Sequence, residues 1–379
     1  MIANRGEIAC RILRTLDRMG IASVMVYHAV DADSPAVRAA SETVEIDGST
    51  PVAAYLDMGR IIAACQETDA DAVHPGFGFL AENAVFATRL AHEGIKFIGP
   101  SPENIELMGN KIKARSFCID NGFPLAPSVT EAGAGEQFAV QAGKIGVPLL
   151  IKAAAGGGGK GMQIVRDLDN LEAAIQLAKA AALRSFGDDV VYAERYEEKP
   201  RHIEVQVLAD EFGNVVHLGE RECSIQRRFQ KIIEESPAPR LESDLRERIC
   251  ATAVEITRKA GYRNAGTVEF LLAPDGDFFF LEMNTRIQVE HPVTEMVTGI
   301  DLVEMQIRVA QGEYLPFNQD QVKTEGHAIE LRLYAEDPAN DFLPTTGPLL
   351  AYSLPVGGSV RVDDGFSEGM KVTSAFDPM

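Results

Sequence analysis

Cysteine is scarce in this sequence of 379 residues: Cys10, Cys65, Cys118, Cys223 and Cys250 are odd in number, and none lies in C-x-x-C spacing. No disulfide scaffold or cysteine zinc site is expected, and the usage points to a reducing compartment. The seven histidines show no metal-ligand spacing. Positive charge is also short, with 36 Lys and Arg against 56 Asp and Glu and a net charge of −20. That balance argues against general binding to nucleic acid or to an anionic membrane, so an anionic ligand must be held by a local basic cluster. No stretch of 18 uncharged apolar residues exists, so no transmembrane helix is expected. The N-terminal MIANRGEIACRIL lacks a signal-peptide apolar region and a transit-peptide bias. Glycine (33) and proline (19) are ordinary, which leaves out collagen, disorder and low complexity. No repeat of solenoid period is visible.

What is present suits two or three globular domains. Ile8, Ile12, Leu13, Leu16 and Met19 recur at helical spacing, and Gly20 follows as a stop. Ala22 to Tyr27 reads as a buried strand. Further expectations are a helix over 55–66, a strand over 71–74, a helix over 83–92 and a strand over 96–98. This alternation predicts a parallel, doubly wound domain to about residue 107. Val147–Lys152 and Met162–Val165 read as strands on either side of a glycine run. A helix over 169–186, strands over 190–194, 202–208 and 215–221, a helix over 242–260, and strands over 266–272 and 277–283 follow. Beyond 325 the pattern is mainly β, with Ala328 to Tyr334 the clearest strand.

Two glycine signals stand out. Gly76 to Ala81 fits G-x-G-x-x-A, a dinucleotide fingerprint, but Pro75 interrupts the strand–turn junction. A tight turn that starts a helix near Asn83 is the better reading. Gly156-Gly-Gly-Gly-Lys-Gly161 is stronger, because such a loop brings bare N–H groups against phosphate oxygens. It is no Walker A loop, since Gly161 stands where Ser or Thr is needed. Lys152 and Lys160 can each place a point charge on an anion, which favours a phosphate-covering lid over a flexible hairpin tip.

Residues 282–290 alternate. Glu282, Asn284, Arg286, Gln288 and Glu290 share one face if the chain is extended. Asp275-Gly276 is a two-residue hairpin signal, which pairs 274 with 277 and so Glu269 with Glu282. Opposed like charges destabilise a sheet, and a cation would relieve them. Two carboxylates and Asn284 are hard oxygen ligands suited to Mg²⁺ or Mn²⁺. The segment Arg221 to Lys231 carries four cations and one acid, a local anion site in an acidic chain.

Together, Ile2-Ala-Asn-Arg-Gly-Glu-Ile8, His74 to Asn83, Met108-Gly-Asn-Lys111, the glycine loop, Pro200-Arg-His-Ile-Glu204, Gln226 to Lys231 and Glu282 to Met296 resemble biotin carboxylase, the ATP-grasp component of biotin-dependent carboxylases. The resemblance covers essentially the whole chain in order, and EMNTRIQVEHPVTEM is its most specific part. It implies an α/β (α+β ATP-grasp) chain with three domains. These are a Rossmann-like N-terminal domain over 1–107, an ATP-grasp domain over 108–320 with its lid at about 124–197, and a C-terminal domain over 325–379 that is incomplete. The resemblance also implies that the chain begins inside the usual first strand. It further implies that several tens of residues normally follow Asp377-Pro-Met379, completing that domain and contributing to dimer contacts.

The implied reaction is the first half-reaction of an acyl-CoA carboxylase. ATP phosphorylates bicarbonate to carboxyphosphate, and CO₂ passes to the ureido nitrogen of biotin. Lys111 and Lys152 would bind phosphates, with Gly158 and Gly159 closing over them. Glu194, Arg195, Tyr196 and Glu197 would form the adenine linker, and His202, Gln226 and Phe229 would meet the nucleotide. Glu269, Glu282 and Asn284 would hold Mg²⁺ or Mn²⁺ at two sites. Arg286, Gln288, Lys231 and the Val289 backbone would cradle bicarbonate, Glu290 would be its general base, and Arg332 would stabilise the biotin enolate. Phe229 stands where many members carry a polar residue, often His, and Phe77 replaces a usual Tyr. Both suggest altered nucleotide or biotin affinity.

The Ala-Met-Lys-Met biotin acceptor motif is absent, so the implied partners are a separate biotin carboxyl carrier protein or domain and a carboxyltransferase. A homodimer is implied for the full-length form, with no nucleic-acid or membrane partner. The implied compartment is the cytoplasm, or the mitochondrial matrix for a eukaryotic source. Alternatives are the same half-reaction in a pyruvate or urea carboxylase, a carbamoyl phosphate synthetase-like ligase, and an ATP-binding fragment without turnover. Arg286, Gln288, Glu290 and Arg332 argue against the synthetase-like reading.

Overall fold

The computed structural model describes residues 1–154, 162–355 and 357–376. Gly158, Gly159, Lys160 and Asp377 to Met379 lie outside the described residues. The first helix, α1 (Gly6–Met19), buries Ile8, Ala9, Ile12, Leu13 and Leu16 on one stripe and ends at Gly20 in the left-handed conformation. β1 (Val24–Tyr27) pairs in parallel with β2 (Glu42–Glu45), and β3 (Ala72–Val73) pairs in parallel with β4 (Lys96–Phe97). Ile2 bridges Met25 and His74, also in parallel, and so joins the two pairs into one layer. The helix expected over 55–66 is two helices, Pro51–Leu56 and Met58–Glu67. Asp57 breaks them by capping the second through its side chain, which accepts from the Arg60 N–H.

The turn at 75–81 is a structural turn that leads to α2 (Ala84–His92), capped by Asn83. Asn4 Nδ2 donates to the carbonyls of Pro75 and Phe77, both at 2.7 Å. Gly76 has φ +61°, and a Cβ there would sit 2.8 Å from that same amide nitrogen, so only glycine fits.

A four-stranded antiparallel sheet follows, in order β5 (Ser128–Thr130), β8 (Val191–Arg195), β6 (Leu149–Ala153), β7 (Gln163–Val165). α3 (Leu171–Phe186) covers it, and Leu149, Ile151, Val165, Ile175 and Val191 share its core. The glycine run therefore connects two paired antiparallel strands.

The largest sheet has six strands in the order β13 (Phe278–Asn284), β12 (Asn264–Leu272), β9 (Arg201–Ala209), β10 (Val215–Arg227), β11 (Gln230–Ser236), β14 (Ala328–Leu331). β9 shows how this sheet separates core from site. Ile203, Val205 and Val207 pack with Ile249, Cys250, Ala253 and Ile256 of α4 (Ser243–Lys259). His202, Glu204 and Gln206 point to the other face. That face is bordered by α5 (His291–Thr298) and α6 (Leu302–Ala310). Among the described residues no helix is long and apolar enough to cross a membrane.

Glu269 does face Glu282 in register, but by a different route from the two-residue turn. Ala273 pairs with Asp277 across the three residues 274–276, with Gly276 at φ +92°. A bulge between Glu269 and Phe270 then shifts the register by one and restores the pairing. The extended strand expected over 282–290 ends at Asn284. Glu82 takes over the backbone there, accepting from Thr285 N (3.0 Å) and Oγ1 (3.2 Å). Ile287 is drawn into the core shared with α1, and Pro292 starts α5. Likewise, β14 stops at Leu331, short of Tyr334.

Candidate active site

Four strands contribute one transverse row. Glu282 pairs with Glu269, Glu269 with Glu204, and Glu204 with Arg221. Three carboxylates in a line are unfavourable alone, and cations from other elements answer them. Lys231, on β11, donates to Glu204 Oε2 (2.5 Å), Glu269 Oε1 (3.0 Å) and Glu290 Oε1 (2.6 Å), using all three ammonium hydrogens. The three acids raise the Lys231 ammonium well above its ordinary value against the opposing effect of burial.

Glu269 is saturated. Besides Lys231, it accepts from Asn284 Nδ2 (2.7 Å), Gln288 Nε2 (2.8 Å) and His202 Nε2 (2.7 Å). Gln226 Nε2 donates to His202 Nδ1 at 3.1 Å, which assigns the His202 proton to Nε2. Burial would raise the Glu269 carboxyl, but Lys231 and His202 hold it well below the usual carboxylate range. Glu290 behaves in the same way: burial opposes its charge, while Lys231, Arg332 and Arg221 keep it ionised far below the ordinary value. Arg332 Nη2 donates to Glu290 Oε2 at 3.0 Å.

Arg221 plays a different part from the anion-binding cation expected of it. Its side chain is fully buried, and five donations go to Glu204, Gln206, Thr294, Thr267 and Gln288. With every N–H taken, it is the floor of the site. Arg227 and Arg228 pair with Glu336 and Asp341. Arg286 reaches Glu82 (2.9 Å), Asn284 Oδ1 (3.1 Å) and the Ile287 carbonyl (3.1 Å).

One cavity of about 2230 Å³ is lined by Lys111, Lys152, Glu194 to Glu197, His202, Gln226, Phe229, Lys231, Glu269, Glu282, Asn284, Arg286, Gln288, Val289, Glu290 and Arg332. It thus brings together every described residue to which the resemblance gives a site role, but not Arg221 and Arg227 of the expected anion site. Lys152 pairs with Glu194 (2.5 Å), which also meets Arg115 (3.2 Å). Lys111 pairs with Glu282 (2.9 Å), which offsets burial and raises its ammonium. Protein cations therefore relieve the Glu269–Glu282 repulsion here. The oxygen donors of Glu269, Glu282 and Asn284 still suit a hard divalent ion, and Glu282, 30% exposed, opens to the cavity.

Arg228 and Phe229, at φ +52° and +66°, form the left-handed turn between β10 and β11, and Phe229 presents a half-exposed ring to the cavity. Sequence reasoning gave no site role to Glu204, Glu82, Glu234 or Arg115. The first two lie inside recognised motifs, so their motif membership was the available signal.

Residues 1–105 match the family described as biotin carboxylase, N-terminal domain. Residues 110–318 match carbamoyl-phosphate synthase L chain, ATP binding domain, and 330–379 match the biotin carboxylase C-terminal domain. The chain is 50% identical over 380 residues to a biotin carboxylase of Nostoc sp., covering all of this chain and 85% of that protein. It superposes on a Campylobacter jejuni biotin carboxylase–ATP complex with TM-score 0.96 and 46% identity, over 100% of this chain and 84% of the other. The biotin carboxylase domain dimer of Hydrogenobacter thermophilus 2-oxoglutarate carboxylase, in complex with MgADP, ADP and bicarbonate, gives TM-score 0.95 and 43% identity. It is covered over 99% and 83% of the two chains.

A lysine-lined nucleotide cavity between a four-stranded sheet and a larger antiparallel sheet defines an ATP-grasp ligase. The chain belongs to the biotin carboxylase family, whose reaction is the ATP- and bicarbonate-dependent carboxylation of biotin.

Proposed function

We propose that this chain carries out that half-reaction with the following division of labour. ATP lies between the two sheets, with Lys111 and Lys152 on its phosphates and Glu194 to Glu197 along the adenine. His202, Gln226 and Phe229 flank the nucleotide. Each phosphate lysine already rests on an acid, so bound phosphate exchanges one anionic partner for another. Glu269, Glu282 and Asn284 would hold Mg²⁺ or Mn²⁺ at two positions, where the ion neutralises phosphate charge.

Bicarbonate sits among Arg286, Gln288, Lys231 and the Val289 backbone. Glu290 takes the bicarbonate proton as the bicarbonate oxygen attacks the γ-phosphorus and ADP leaves. The carboxyphosphate formed splits into CO₂ and phosphate, and the phosphate takes the ureido N–H proton as that nitrogen attacks CO₂. Arg332 faces the oxygen of the biotin ureido group as negative charge develops there. The carboxyl acceptor is selected by a carboxyltransferase, and biotin arrives on a carrier outside these residues. Homodimers are the expected full-length assembly.

The convergence of Lys231 on Glu204, Glu269 and Glu290, with Arg332 behind, carries this reading. Its test is ADP release with Mg²⁺, ATP and free biotin. Bicarbonate-dependent release stimulated by biotin is expected. Release indifferent to bicarbonate would overturn the assignment.

A further inference from the structure

Arg332 has a second acid, on the side away from Glu290. Its Nε donates to Glu234 Oε1 at 2.6 Å. Glu234 lies on β11 and is fully buried. Directly opposite it on β14 is Glu330. The second oxygens of both carboxyls are buried, and neither has a hydrogen-bond partner. Opposed side chains on neighbouring antiparallel strands have Cβ atoms about 4.5–5.5 Å apart. Glu204 and Glu269 share Lys231, whereas among the described residues the only cation bonded to this pair is Arg332, on Glu234 alone. Their repulsion favours one neutral carboxyl, and a proton held by one supplies the hydrogen that an orphaned oxygen needs.

We propose that Glu234 and Glu330 form a one-proton carboxyl pair that positions Arg332, so that the guanidinium is fixed for the biotin oxygen only when Glu234 carries the charge. The inference rests on the biotin carboxylase reading of the cavity. Glu234 is set back from the cavity and Glu330 lines it beside Arg332; both are argued to act through the guanidinium, as positioning residues.

The surrounding charges agree. Burial raises Glu234 to about 7, with Arg332 opposing and Glu290 and Glu204 adding to the rise. Burial raises Glu330 well above the usual range, helped by Glu234 and Glu290 and opposed by Arg332 and Arg221. Glu330 is therefore the proton holder at neutral pH, and Glu234 is the group that changes. Glu7, on α1, faces Arg332 from a third element, and burial raises its carboxyl as well. α5 packs on both strands, but its own titratable groups are engaged elsewhere. His291 meets the Gln288 carbonyl, and Glu295 meets Arg11 and Arg361. Loss of the Glu234 charge leaves Arg332 with Glu290 alone, turned toward the bicarbonate end.

The test compares kcat/KM for free biotin from pH 5.5 to 8.5, at a fixed concentration of bicarbonate ion, in the wild type, Glu234→Gln and Glu330→Gln. In the wild type the value is expected to fall about tenfold per pH unit below an inflection near 7. Glu234→Gln should remove the inflection, with less than about twofold change between pH 6 and 8, and leave KM for ATP unchanged. Glu330→Gln exchanges a protonated, neutral neighbour for a neutral amide, so it should not lower the inflection. A wild-type profile without the inflection, one that Glu234→Gln leaves in place, or one that Glu330→Gln moves below pH 6 (which would mean that Glu330 carries charge) overturns the proposal. If Glu234→Gln does not fold, Glu234→Asp decides: its shorter carboxyl must shift the inflection, and an unshifted one overturns the proposal. Bicarbonate-dependent ADP release in the wild type, measured in parallel without biotin, separates failure of this inference from failure of the functional reading.

Discussion

Lys231 and Arg221 are both buried cations, yet their loss has different consequences. Arg221 meets no open part of the cavity and spends every donor on protein acceptors. Arg221→Leu should therefore leave Glu204 underpaired and cost on the order of 3–5 kcal/mol, read from urea unfolding. Glu290→Gln keeps hydrogen-bonding capacity but loses the base. Turnover should fall about 10²–10⁴-fold with KM for ATP little changed. Lys152→Ala should do the reverse, raising KM for ATP more than it lowers kcat. Equal loss of ATP binding in both variants would contradict the roles given to them. At this scale the sequence names the cavity lining well, since each described residue given a site role by the resemblance reaches it. It does not distinguish Arg221 from half-buried Arg227 and exposed Arg228, because the acceptors that bury Arg221 come partly from β12, Gln288 and α5, 46 to 73 residues on. Glu82 is hidden for the same reason: its partners Thr285 and Arg286 are some 200 residues on.

Among the elements, the β12–β13 hairpin carries the most information. The Glu269–Glu282 pairing is readable from Asp275-Gly276, but only because two offsets cancel, a three-residue turn and a bulge near the acids. The bulge, an extra residue at Leu281 on β13, has no local signal, and the β12–β9 ladder runs unbroken beside it. The alternation of 282–290 misleads for a related reason. Arg286, Gln288 and Glu290 reach the cavity from a folded-back turn, held by Glu82 and ended by Pro292, rather than from a strand face. The turn before α2 is legible from its glycines, and its tolerance can be measured. Gly76→Ala places a Cβ against Asn4 in a left-handed conformation, which should cost on the order of 1–3 kcal/mol in thermal or urea unfolding. An unchanged midpoint would show that Asn4 moves aside freely.

Over the whole molecule, charge and burial combine into a pH response. His74 and His291 are fully buried and held neutral, lowered by burial to about 3 and about 4. Each therefore contributes stability that is complete above the unfolded value near 6.5 and is lost as pH falls toward the folded value. Glu269, Glu290 and Asp301 are also depressed, and their contribution is lost below the unfolded carboxylate value near 4. Glu234, Glu330 and Glu7 run the other way, favouring the fold as pH falls below 7, so above pH 5 they offset the two histidines. The urea midpoint should therefore change little from pH 6.5 to 5 and decline below 4.5, and His291→Gln should raise it at pH 5 relative to the wild type. The overall architecture was legible because α/β alternation and an ordered series of motifs extend along the whole chain. The packing of Arg11 and Arg361 on Glu295, which ties α1 to α5 and the last segment, was not, because it joins residues up to 350 apart.

The scattered cysteines acquire a use from this packing. Four of the five are buried, and burial pushes Cys10 and Cys65 up to about 11 and Cys118 to about 12. Cys65 lies under the first layer, Cys118 and Cys250 lie beneath the large sheet, and Cys223 sits beside the active-site acids. A thiol reagent at neutral pH thus becomes a clock for the opening of each region, with no label to engineer. ATP should slow the modification of Cys223 more than that of Cys65.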